Sequence, residues 1–152
     1  MSDMTLDAVT ERSIAVELFN QVWQLLERDD RSSDEDAEMV HMAHASLLHW
    51  LHVGGEVEAA RGEWQCSRVY AVVERGEPAL WHARRVLEIC ERARIADFDL
   101  AFAYEALARA HAVRGEADRA RDFAERTLKA ADDVADADDR ELVLSDLATI
   151  PL

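Results

Sequence analysis

Four of the chain's six histidines lie within HMAHASLLHWLH, residues 41–52. Such density allows metal chelation, proton transfer or plain packing. At about 100° per residue, His41, His44, Leu48 and His52 fall on one side of a helix. Met39, Ala43, Leu47 and Trp50 fall on the other side, with His49 on the flank. The i,i+3 pairs His41/His44 and His49/His52 have a spacing at which two imidazoles can grip one ion from successive turns. Zinc sites need three or four donors, however, and the chain contains neither a His-Glu-x-x-His pattern nor a paired-cysteine knuckle. His82 and His111 would have to converge from other elements. Packing at a helix interface is therefore expected, with no metal and no cofactor. His41, His44 and His52 are the positions at which ligation would show. Cys66 and Cys90 sit inside apolar helical patterns and read as buried thiols rather than nucleophiles.

The second chemical cluster is ARGEWQCSRVY, residues 60–70. On a helix, Ala59, Gly62, Cys66, Val69 and Val73 form one stripe, and Arg61, Trp64, Gln65 and Arg68 share the opposite face. Further on, Phe102, Glu105 and Arg109 lie together on one face of another helix. Aromatic rings flanked by guanidinium groups suit a carboxylate-bearing ligand, because Arg binds a carboxylate through two parallel hydrogen bonds. The competing use is internal pairing: Glu58–Arg61 is an i,i+3 pair and Glu105–Arg109 an i,i+4 pair. Arg68 has no acid three or four residues away, so its charge must be answered from another element. Glu58 and Glu105 are the chain's own candidates to answer these arginines. No P-loop, dinucleotide-binding glycine pattern or G-x-S-x-G elbow is present.

The elements that must position these residues are helices. The chain has 152 residues, 49% hydrophobic and 32% charged, which suits a single domain with one core, residues 1–152. Its net charge of −15 weighs against nucleic acid, whose phosphates need concentrated Lys and Arg. No apolar run is long enough for a membrane span, and the acidic start MSDMTLDAVTER has no secretory-signal pattern, so a cytoplasmic location is expected. Seven helices are predicted, near 5–28, 34–53, 56–75, 78–94, 98–114, 116–134 and 138–149. A polar linker falls at 28–36, Ser33 and Asp36 begin the second helix, and the last helix is a cap. Pro78 fits a first helical turn. Asp97 and Asp99 are expected to cap the fifth helix. Leu100, Tyr104 and Leu107 are expected to pack on the sixth helix through Ala120 and Ala124. Trp81, beside Arg85 and Glu88, is assigned to packing between units, with a homodimer contact as the alternative.

Arg-Gly-Glu closes two of these hairpins, at 75–77 and 114–116, with the glycines 39 residues apart. Such a period marks stacked helix-turn-helix units. AYEALARAHAVRGEADRARDFAERTL, residues 103–128, resembles a tetratricopeptide repeat. Tyr104 stands at the family's first aromatic position, Leu107-Ala108 where Leu-Gly is usual, and Ala120 at the small residue of the second helix. It departs from the pattern at His111 and Ala124, and no proline closes the unit. The segments at 60–70 and 97–110 are also similar to those of bacterial helical-repeat proteins to which no activity is attached. The resemblance implies an all-α, right-handed solenoid of antiparallel hairpins whose first helices line a concave groove. It also implies a non-enzymatic module binding a protein or peptide segment through Arg61, Trp64, Gln65, Arg68, Phe102, Glu105 and Arg109. The alternative is a metal- or anion-dependent helical enzyme, or a small-ligand binder, using His41, His44, Arg61 and Arg68.

Overall fold

The computed structural model describes residues 5–152; Met1 to Met4, within the acidic start read above, lie outside the described residues. Seven α-helices and no strands occur among them: α1 (Ala8–Leu26), α2 (Ser33–Val53), α3 (Glu56–Val72), α4 (Gly76–Ala93), α5 (Asp97–Val113), α6 (Ala117–Asp132) and α7 (Ala137–Ala148). No described helix is long and apolar enough to cross a membrane.

Local chemistry explains the helix starts. Asp7 caps α1 by accepting the Thr10 N–H. α2 begins with a capping box one residue earlier than the predicted Ser33/Asp36. Ser32 accepts from the Glu35 N–H at 3.1 Å, while Glu35 reaches back to the Ser32 N–H at 2.8 Å. Glu carries the extra methylene that this return contact needs, and Asp36 instead pairs with Arg31. The 28–36 linker is tied down, because Arg28 pairs with both Asp30 and Glu35. α5 has no side-chain cap. Asp97, at φ 59°, accepts from its neighbour Phe98 and from the Ala135 N–H beyond α6, and Asp99 pairs with Arg61.

Sequential helices pack as hairpins, α1 on α2, α3 on α4 and α5 on α6, while α7 closes the end against α5 and α6. The odd-numbered helices also touch in series, α1 to α3, α3 to α5 and α5 to α7. Small residues permit this closeness: a Cβ at Gly62 of α3 would stand 2.8 Å from the Leu47 Cδ1 of α2. Met39, Ala43, Leu47 and Trp50 are buried as the α2 pattern predicts. α5 is buried nearly all round, and its leucines take the other side from the one expected. Leu107 packs with Ala71, Ala79, Leu80 and Ala83 of α3 and α4, and Leu100 with Val86, Ile89 and Cys90. α6 and α7 receive the alanine side instead, with Ala108 against Ala124, Leu147 and Ile150. The leucines thus face α3 and α4, and alanines face α6 and α7.

The turns after α3 and α5 are alike, but at a different spacing from the Arg-Gly-Glu glycines. α3 and α5 both have 17 residues, and each ends in a backbone bond closing the helix from the far side of a left-handed residue. Arg75 N–H reaches Tyr70 O across Glu74 (φ 60°), and Glu116 N–H reaches His111 O across Gly115 (φ 77°). Glu74, not Gly76, therefore corresponds to Gly115, and the structural period is two residues longer than the spacing of the two Arg-Gly-Glu glycines. Gly76 serves contact instead, since a Cβ there would lie 2.5 Å from Arg114 Cγ.

Candidate functional site

The arginine-aromatic face gathers where α1, α3, α5 and α7 meet. Trp64 is its centre. Its ring lies 5.5 Å from Trp23 of α1 and 5.5 Å, edge to face, from Phe102 of α5, and Phe98 packs 4.8 Å from Phe102. With Phe19 of α1, these rings bound a cavity of about 450 Å³. Four charged residues lie on its lining: Arg61, Asp99, Asp139 and Asp146. The sequence had no means of linking Phe19 and Trp23, on the first helix, or Asp139 and Asp146, on the last, to residues of the third and fifth.

The arginines are engaged by the chain's own acids. Arg61 is held by both Asp99 carboxylate oxygens, at 3.0 and 3.2 Å, and not by Glu58. That contact holds its guanidinium pKa above the ordinary value. Glu58 turns back to the Gly55 N–H at the start of α3 and pairs with Arg12. Arg68 has its answer on distant elements: Asp146 at 2.6 Å and Glu105 at 3.7 Å, with its guanidinium stacked 5.4 Å over Trp64. Arg109 grips Glu105 at 2.6 Å and also donates to Asp146 O and Thr149 Oγ1, clamping the last turn of α7. Glu105 is fully buried between two arginines, an arrangement that holds only while both remain. Gln65 is likewise buried and donates to Phe19 O, fixing α1 on α3. Trp64 Nε1, Gln65 Oε1, Arg68 Nε and Glu105 Oε2 have no hydrogen-bond partner among the described residues.

The histidines disperse. His41 is exposed. His49 and His52 both donate through Nδ1 to one Glu11 oxygen on α1, and these bonds, His49 first, hold the Glu11 carboxyl below its ordinary range. His44 turns inward instead. Its Nε2 lies 2.9 Å from the Tyr70 hydroxyl, and its ring packs 5.2 Å from His82. His44, Cys66 and His82 bring donor atoms within 4.8 Å of one another, as do Glu11, His49 and His52. His111 stacks on Phe123 at 5.5 Å and pairs with Glu116. Of the set His41, His44, Arg61 and Arg68, His41 is exposed, His44 bonds Tyr70, and the two arginines are paired with Asp99 and Asp146. Cys90 is buried, its thiol pushed up to about 11 by desolvation. Trp81 is 54% exposed, with Arg85 over its ring, rather than packed between units. No protein family, curated protein or solved structure matches the chain.

Proposed function

We propose that the chain is a non-enzymatic, tetratricopeptide-like interaction module that binds a basic segment of a partner protein. One Lys or Arg side chain of that segment enters the aromatic cavity. The reading rests on one observation: three aspartates and a single arginine line a cavity walled by five aromatic rings. Aromatic faces attract cations through their quadrupoles, and carboxylates at the rim add directional charge-assisted hydrogen bonds. Arg61 and Arg68 are paired with Asp99 and Asp146, so neither partner of these pairs is wholly free for a ligand. Asp139, by contrast, is in no ion pair among the described residues and is free to meet a cation. The net charge of −15 would speed the encounter with a basic segment.

The test compares basic, neutral and acidic peptides of one length, titrated at low and moderate salt and followed by tryptophan fluorescence. Basic peptides are expected to bind, more weakly as salt rises, with Asp139→Asn and Phe98→Ala each reducing affinity. Equal or stronger binding of acidic peptides would overturn the assignment.

A further inference from the structure

We infer that His44, Cys66 and His82 form a buried centre for a divalent zinc-class ion, joining α2, α3 and α4. One donor comes from each helix, and their ligand-capable atoms already lie within 4.8 Å of one another. Cys66 is wholly buried and His82 nearly so, which shelters the position from solvent. Two imidazoles and a thiolate are the donors that borderline and soft ions such as Zn²⁺ select over Mg²⁺ or Ca²⁺.

The strongest argument is what stands behind His82. Its Nδ1 donates to Glu63 Oε2 at 2.6 Å, and Arg85 holds the other Glu63 oxygen at 2.7 Å. A carboxylate on one imidazole nitrogen fixes the tautomer, orients the ring and raises the basicity of the other nitrogen, which is how metal-bound histidines are supported. Tyr70 stacks on the same ring at 5.6 Å and 13°, limiting its rotation. Glu63 is itself buried, with one oxygen held by His82 and the other by Arg85. With Glu63 already paired to Arg85, the Cys66 thiolate offsets one of the ion's two charges. Three protein donors leave one position of a tetrahedron, for a water or for the Tyr70 hydroxyl, which is hydrogen-bonded to His44.

Cys66 would bind as its thiolate, the form in which cysteine ligates metals. Binding then forms one sulfur–metal bond and releases the thiol proton to solvent, with no change of oxidation state. This centre does not depend on the aromatic cavity, and either assignment can fail alone.

The test is titration of Co²⁺, a spectroscopic substitute for Zn²⁺, into chelator-treated, untagged protein at neutral pH. One equivalent is expected, with a near-ultraviolet thiolate-to-metal band that Zn²⁺ abolishes by displacement. Cys66→Ser should lose that band while Cys90→Ala keeps it. Glu63→Gln should weaken binding roughly 10- to 100-fold, the usual effect of removing a supporting carboxylate. His49→Ala with His52→Ala should change nothing, which separates this centre from the surface group on Glu11. Absence of the band in the unmodified protein overturns the proposal whether or not any variant folds. So does a band that survives His82→Ala at full intensity.

Discussion

Arg68→Ala should destabilise the fold far more than Arg61→Ala, although both arginines are paired with aspartate and lie two turns apart on one helix. Arg61 is 54% exposed, and exposed ion pairs contribute about 0–1 kcal/mol. Arg68 is 13% exposed and faces Glu105, whose side chain is wholly buried. Arg109 satisfies only the Oε1 of that carboxylate, while Oε2 has Arg68 alone, at 3.7 Å. Removing Arg68 leaves a buried charge half-answered, frees Asp146 from α3 and uncovers Trp64. Breaking one side of a buried pair costs about 3–5 kcal/mol. For a chain of this size that lowers the melting temperature by roughly 6–20 °C. Thermal and urea melts of both single variants and the double variant, followed by circular dichroism, measure the difference. Arg68→Ala with Glu105→Gln should recover part of the loss, because the amide leaves no buried charge behind. A loss below about 1 kcal/mol for Arg68→Ala would refute the argument and return the arginine to the pool of groups available for a ligand.

The two hairpin turns predict opposite effects of glycine. Glu74→Gly should stabilise by up to about 1 kcal/mol, because glycine adopts the left-handed conformation at φ 60° without a Cβ clash. Gly115→Ala, at φ 77° with no neighbour within 4 Å of the added Cβ, should destabilise by about 1 kcal/mol through backbone strain alone. Urea melts check both, and a destabilised Glu74→Gly would mean that its side chain contributes a contact the geometry does not contain. Acid should loosen α1 from α2. Glu11 sits below its ordinary value of 4.5 because His49 and His52 bond it in the folded state. Its contribution is therefore complete above that value and lost as pH falls through the lower folded one. Glu11→Gln should flatten the fall of melting temperature as pH drops below the ordinary Glu value of 4.5; an unchanged slope would count against the link.

Much of the architecture was legible along the chain because helix formation is a local property. Breaks at Gly54-Gly55, at Arg75-Gly76 and at Arg114-Gly115 punctuate periodic stripes, and the seven helices follow them within a few residues. Less was legible at the turns. Arg-Gly-Glu stands at both hairpin turns, but Gly115 supplies a left-handed conformation and Gly76 makes room for Arg114. One tripeptide answers two different constraints, so letter spacing misplaced the repeat by two residues.

The candidate sites divide in the same way. By itself the sequence determined which faces are apolar, that Arg68 needs an acid from elsewhere, and that Trp64 and Phe102 share the character of one surface. Only the tertiary structure decided the partners. Asp99 takes Arg61, Asp146 and Glu105 take Arg68, and a histidine-rich helix face separates into an exposed His41, a Glu11 cluster and an inward His44. The physical reason is range. Periodicity reports on residues three or four apart on one helix, whereas Arg68 meets an aspartate 78 residues away and His44 meets His82 across two helices. Those meetings depend on how hairpins stack, and stacking is set by the volumes of buried alanines and leucines rather than by the charged residues it brings together.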